Sequence, residues 1–367
     1  MPNRPAERRD RLAGRLKAAG LDAVLITSEL NVRYLSGFTG DSTYLLLPAA
    51  GKPRLVSDRR YDTQIAEECP GLDAVIRPPD KVLAKAAGEM LASAGNKNVG
   101  FEAGSVNVAL LETLETLAPG VTLVPTTDLV EEFRAVKDAD EISDIRAAVR
   151  QAIRGFLALK AVLVPGRTER DFALELEQYL RRFGANGTAF ETIIGVGDRA
   201  ALPHYHAGDR RIGDSPLVLI DWGAETLSKY RSDLTRTLFT GRPTDEMRKV
   251  YDVVCEAQRL AIAAIHPGAD GRKVDAIARK HIAAAGYGDL SHGLGHGFGL
   301  QIHERPRLAP NFDHTLQPGM VVTVEPGIYI RGQFGVRIED DVLVTPDGCE
   351  VLSADLPNDW DSAQVVC

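Results

Sequence analysis

Five potential metal ligands lie on three separated segments of the chain: Asp221 and Asp233 in IDWGAETLSKYRSDLTRT, His296 in HGLGHGFGLQIHE, and Glu325 and Glu339 in VEPGIYIRGQFGVRIEDD. Four carboxylates and one imidazole, set in glycine-punctuated apolar runs, are too many charges to bury without cations. Asp221 ends the run Leu217 to Ile220, and Glu325 ends Val321 to Val324, where short buried strands read most naturally.

The spacing adds a second constraint. Twelve residues separate 221 from 233 and fourteen separate 325 from 339, each with a polar middle, so each segment predicts a β-hairpin with one carboxylate per strand. An even separation lets the two carboxylates face each other on one side of the sheet, where like charges repel. Taken alone, either hairpin reads more simply as ion pairing at a sheet edge, Asp233 with Arg231 and Arg236, or Glu339 with Arg337. Two such hairpins converging, with a histidine segment, point instead to a four-carboxylate cage.

His292 and His296 have the four-residue spacing of a helical zinc motif, but the glycines between and after them oppose a helix and no Glu follows His292. His292, His296 and His303 concentrate three of the chain's eight histidines in one segment, which favours a ligand or acid/base role for at least one.

The elements that must position these groups are legible in outline. Residues 5 to 20, Val82 to Leu91 and Val108 to Leu117 predict helices; Ala23 to Ile26, Tyr44 to Leu47, 98 to 101 and 121 to 124 predict strands, together an α/β domain. Pro125 to Asp140 is expected to hold a boundary, with a long helix from Asp138 toward Val164 ended by Pro165-Gly166. Helices follow at Glu169 to Arg182, Asp245 to Ile265 and Arg272 to Ala284. Two rounds of helices then hairpin suggest an internal duplication with the cage between the halves.

A length of 367 residues suits two domains, and a net charge of -8 disfavours nucleic-acid partners. Cys69, Cys255, Cys349 and Cys367 form no close pair, so neither a disulfide framework nor a zinc ribbon is expected. The charged N-terminus has no signal-peptide core and no stretch is long enough to span a membrane, so a cytoplasmic location is the default. Trp222 reads as packing and Tyr329 as a group near the cage.

The ordered motifs are similar to those of the pita-bread metallopeptidases, which include Xaa-Pro aminopeptidase, Xaa-Pro dipeptidase (prolidase) and methionine aminopeptidase. They are Pro203-His204, the paired Asp-x-Gly and Ser-Asp-x-Thr-Arg-Thr, the His-Gly-x-Gly-His segment ending in His-Glu, Val-Glu-Pro-Gly and Gly-Val-Arg-Ile-Glu-Asp. NVRYLSGFTG and RYDTQIAEE resemble the creatinase-type amino domain, which points to the proline-specific branch. The resemblance implies a creatinase-like α/β domain at 1–130 and an α+β pita-bread catalytic domain at 138–367. It implies two divalent metal ions, with Asp233 and Glu339 bridging, Asp221 completing one ion, and His296 with Glu325 completing the other. Manganese suits so carboxylate-rich a set, and cobalt, zinc or iron also fit. One departure is an additional residue between Asp221 and Asp233, expected in the turn around Glu225 to Lys229.

The chemistry such a cage implies is hydrolysis by a metal-bridging hydroxide, with Glu325 relaying a proton to the leaving prolyl nitrogen. His303 and His204 are expected to bind substrate and stabilise the tetrahedral intermediate, His292 to line the proline side, and Arg337 to orient Glu339 or the substrate, with Tyr329 a further substrate contact. Short Xaa-Pro peptides are the expected substrates and a homodimer the expected assembly. Aminopeptidase and dipeptidase remain open alternatives. So do a pita-bread binding protein without catalysis and a dinuclear hydrolase of another amide or ester.

Overall fold

Alternating helices and strands in the first third of the chain build a six-stranded sheet in the order Asp73–Arg77, Arg54–Asp58, Tyr44–Pro48, Ala23–Ile26, Asn98–Glu102, Thr122–Thr126. The coordinates are a computed structural model in which residues 4–365 are described; Cys367 lies outside them. Two units result, Met1–Phe133 and Arg134–Cys367. In the first, Ala23–Ile26 is buried along its whole length. It pairs antiparallel with Tyr44–Pro48 and parallel with Asn98–Glu102, and the helices Leu83–Ser93 and Val108–Leu117 supply apolar faces to the sheet. Glu102, at the end of its strand, accepts from the backbone N–H groups of Thr27 and Ser28, which satisfies donors at the start of helix Glu29–Ser36. That helix, Asp62–Glu68 and the two edge-side strands Arg54–Asp58 and Asp73–Arg77 carried too little periodicity to be anticipated.

The second unit begins with helix Ala139–Ala161, started by a capping box in which Asp138 and Glu141 satisfy each other's backbone. Thr168 and Asp171 repeat the device for helix Glu169–Arg182. The first of these helices packs its Phe156 flat on Trp222, with ring centroids 4.3 Å apart, and Trp222 Nε1 donates to Ala152 O. Trp222 is therefore a packing residue, and it anchors the strand that carries Asp221.

Two sheets follow. One has the order Leu234–Phe239, Leu217–Trp222, Ile193–Val196, and the other Glu304–Leu308, Gly295–Gly297, Val321–Val324, Asp340–Thr345, Gly348–Val351. Helices Asp245–Ile262 and Gly271–Ala284 intervene in sequence and cover the core formed by Val250, Val254, Ala278, Val322, Val336 and Val342. The order helix pair, sheet, helix pair, sheet matches the expected two rounds. No helix among the described residues is long and apolar enough to cross a membrane.

Candidate metal centre

Both carboxylate segments fold as hairpins, but their registers differ. In the first, Trp222 pairs with Leu234 and Asp221 with Thr235, so Asp233 falls opposite Gly223 rather than Asp221. The expectation that Asp221 and Asp233 face each other is corrected by the turn. Thr226 N–H donates to Tyr230 O, leaving a three-residue connection in which Lys229 takes φ 74°, and this centres the hairpin on Ser228. Even spacing still keeps Asp221, Asp233 and Thr235 on one face. Gly223 is required there, because a Cβ would lie 2.0 Å from Ser232 O.

The second hairpin follows the expectation. Val324 pairs with Asp340 and Gly327 with Arg337 in one continuous register, which sets Glu325 opposite Glu339. An antiparallel bridge between Thr235 and Glu339, with Glu339 N–H donating to Thr235 O at 3.1 Å, joins the two hairpins. Gln258, buried in helix Asp245–Ile262, donates to both Val324 O and Ile338 O, the carbonyls preceding Glu325 and Glu339. A buried glutamine on an apolar helix face was the available signal for this support, and sequence reasoning passed over it.

His296 sits in the short strand Gly295–Gly297. A Cβ on either flanking glycine would meet backbone of a neighbouring strand, Thr323 O at 2.0 Å or Arg305 O at 2.1 Å, so both must be glycine for the strands to close on the histidine. Its Nδ1 lies 3.1 Å from Gly297 O, which only accepts, and this leaves Nε2 as the lone-pair nitrogen. Nε2 lies 3.4 Å from Glu325 Oε1 and 3.6 Å from Asp233 Oδ2. Ligand atoms of Asp233, His296 and Glu339 all fall within 4.8 Å of one another.

The electrostatics are those of a cation site. Burial pushes the imidazole of His296 down to about 3, so it is neutral, while burial pushes the Glu325 carboxyl up to about 8. Burial and mutual repulsion raise Asp233 and Glu339 well above the ordinary carboxylate range. Asp221 Oδ1 is buried without a hydrogen-bond partner. Oxygen-rich donors, a lone-pair nitrogen aimed at them and an orphaned carboxylate oxygen fit divalent cations.

The centre opens onto a cavity of about 500 Å³. His204, His292 and His303 line it together with all five expected ligands. Burial lowers His292 to about 4, and burial with the nearby Arg307 and His204 lowers His303. Arg337 also reaches the cavity, but its guanidinium is already engaged: it pairs with Asp221 Oδ2, donates to Tyr329 Oη at 2.8 Å and reaches Thr235 Oγ1, which donates to Glu339 Oε2. Arg337 thus bears directly on Asp221 and only through Thr235 on Glu339. The Tyr329 hydroxyl is held between Arg337 and His292 Nε2. Tyr329 is thereby tied to two residues that line the cavity, Arg337 and His292.

Sequence reasoning missed several cavity groups: Glu191 and His206, which pair with each other, and Arg307. The strand Glu304–Leu308 alternates buried and half-buried positions, and Arg307 lies on the half-buried side, lining the cavity. Its guanidinium makes no hydrogen bond or close ion pair among the described residues; burial lowers its affinity for the proton, and the charge of Glu325 works against that. The alternation in Glu-Arg-Pro-Arg-Leu was the signal; a cavity-facing role became visible only with the strand in place.

Comparison with known proteins agrees with this architecture. The model of the creatinase/prolidase N-terminal domain matches residues 8–136 and that of metallopeptidase family M24 matches residues 143–346. The chain is 35% identical over 350 residues to the Xaa-Pro dipeptidase of Pyrococcus furiosus, covering 95% of this chain and 97% of that one. It superposes on the structure of the Xaa-Pro dipeptidase from Bacillus anthracis with a TM-score of 0.91 at 35% identity, over 95% and 98% of the two chains. The corresponding figures for the X-Pro aminopeptidase from Thermotoga maritima are 0.85 and 34%, over 94% and 99%. Converging carboxylate hairpins, a histidine strand and a preceding α/β unit therefore make this chain a member of metallopeptidase family M24 with a creatinase/prolidase-type N-terminal domain.

Proposed function

We propose that this enzyme hydrolyses the bond before proline in Xaa-Pro dipeptides, with two divalent cations, manganese the best suited, held by Asp221, Asp233, His296, Glu325 and Glu339. Asp233 and Glu339 are the shared ligands, Asp221 belongs to one cation, and His296 with Glu325 to the other. When bound, the cations supply hydroxide near neutral pH and polarise the scissile carbonyl.

The chain's own groups do the rest. Glu325 takes the proton from the attacking water and delivers it to the prolyl nitrogen, which has no hydrogen of its own and leaves as a secondary amine. His303 and His204 on the cavity wall donate N–H to the oxyanion as it develops. Arg337, fastened to Asp221, Tyr329 and Thr235, keeps the ligand face rigid. Phe190, Ile193, Ile302 and Phe312 offer apolar wall for the proline ring.

The observation that carries the dipeptide reading is Arg307. A half-buried guanidinium that makes no hydrogen bond or close ion pair among the described residues, with the charge of Glu325 nearby in the same cavity, has N–H donors to offer a ligand anion. The free carboxylate of a dipeptide is such an anion. Relatives named as dipeptidase and as aminopeptidase resemble the chain to similar degrees, so their names favour neither.

The test is cleavage of Ala-Pro against Ala-Pro-Ala, with Ala-Ala as control, after chelation and readdition of manganese. Metal-dependent cleavage of Ala-Pro alone is expected. Equal cleavage of the tripeptide would make the enzyme an aminopeptidase, and no proline-directed cleavage would overturn the reading.

A further inference from the structure

A second buried charge cluster lies away from the carboxylate cage. Glu304 Oε1 accepts from Arg134 Nη2 at 2.5 Å and from the backbone N–H of Gln301 at 2.8 Å, and its Oε2 lies 3.5 Å from Lys137 Nζ. Arg134 also donates to the Gln301 side chain. Glu304, Arg134 and Lys137 have side chains no more than 5% exposed. Burial works to raise the Glu304 carboxyl, and the two cations outweigh it and hold the group below its ordinary range.

Glu304 directly follows His303, and the loop before it is closed on its carboxylate. Gly299 N–H donates to Gln301 O, and a Cβ on Gly299 would sit 3.0 Å from Glu304 Oε2 and 3.3 Å from Lys137 Cε. The same loop is fastened to the first carboxylate hairpin by Arg231 N–H donating to Gly299 O. The hairpin is tied back to the start of the long helix by Tyr230 Oη donating to Glu141 Oε1. Tyr230 and Arg231 lie between Asp221 and Asp233. The segment from Arg134 to Glu141 therefore holds the loop at one end and the Asp233 hairpin at the other.

Apolar side chains would fill this volume with less desolvation cost, so the charges are better explained by the geometry they impose than by stability. We propose that Glu304, clamped by Arg134 and Lys137, is a positioning residue that fixes the Phe298–His303 loop against the Asp233 hairpin and so sets the place of His303 relative to the metal centre. This rests on the role given to His303 above. A shift of about 1 Å in such a group costs on the order of 100-fold in rate.

The experiment uses the full chain loaded with manganese and the variants Glu304→Ala, Glu304→Gln, His303→Ala and the double variant. Glu304→Ala is expected to lower kcat for Ala-Pro by about 10- to 100-fold with KM and manganese content little changed. Glu304→Gln, which can still accept from Gln301, is expected to retain part of the lost rate. In the His303→Ala background, Glu304→Ala is expected to cost less than about twofold more, because coupled residues are non-additive. Fully additive losses would overturn the proposal.

Hydrogen exchange of the 299–303 backbone supplies a readout independent of turnover. It is expected to accelerate at least about tenfold in Glu304→Ala, and unchanged protection would also overturn the clamp. Failure of wild type to cleave Ala-Pro would remove the functional reading while the exchange result still decided the clamp. Should Glu304→Ala not fold, Glu304→Gln and Lys137→Met carry the same comparison.

Discussion

His296 and Glu325 illustrate how single residues in this site are tuned by what surrounds them. The histidine is neutral because it is buried, and its Nδ1 contact with Gly297 O fixes which nitrogen faces the carboxylates. If Asp233 and Glu339 are shared ligands, Asp233→Ala or Glu339→Ala will abolish both dinuclear metal binding and turnover, measured by metal analysis and Ala-Pro hydrolysis. Retained dinuclear binding would remove the assignment. His303→Ala is expected to keep its metals while losing about 100-fold or more in kcat, as for loss of an oxyanion donor. Arg307→Ala should raise KM for Ala-Pro by tenfold or more, consistent with about 1.5–3 kcal/mol for a charged hydrogen bond, with kcat little altered. An unchanged KM would leave the dipeptide preference without its anchor.

At the scale of elements, the site depends on strands approaching more closely than side chains permit. Gly297 is the sharpest case, since a methyl group there would collide with Arg305 O at 2.1 Å, in the strand that continues from Glu304. Gly297→Ala is expected to destabilise the fold by about 1–3 kcal/mol or more, read by denaturant unfolding, and to weaken manganese affinity by moving His296. Full metal affinity in a folded Gly297→Ala protein would show that the strand has slack. The Thr226–Tyr230 turn, where Lys229 adopts a left-handed conformation, sets which residue faces Asp221.

For the molecule as a whole, stability and metal occupancy are linked through pH. Asp233, Glu325 and Glu339 have carboxyls raised by burial, so the folded, metal-free chain retains protons that the unfolded chain releases above about pH 4.3. The folded state binds more protons across that window, and stability therefore falls as pH rises through it. The Tm of chelated protein is expected to drop between about pH 6.5 and about pH 8, above the range in which the neutral buried His292 and His296 work in the opposite direction, and manganese is expected to restore more stability at the upper end than at the lower. A chelated protein whose Tm rises over that range would contradict the burial of three raised carboxyls.

Much of this organisation was legible in the chain. Apolar runs ending in Asp221 and Glu325, capping signals at Asp138 and Thr168, and glycines around His296 are local features, because strand burial, helix starts and close backbone approach each leave a mark within a few residues. The order of helix pairs and hairpins follows from such marks, whereas the resemblance to the pita-bread metallopeptidases singled out His296 among the three histidines as the expected ligand. What only the tertiary structure decided involves contacts between distant segments: Asp221 facing Thr235, Arg337 committed to Asp221 and Tyr329, and Arg307 brought into the cavity beside the charge of Glu325. Register depends on where a turn centres, and the fate of a charged side chain depends on which strand lands beside it. Neither is encoded in the residue's own neighbourhood.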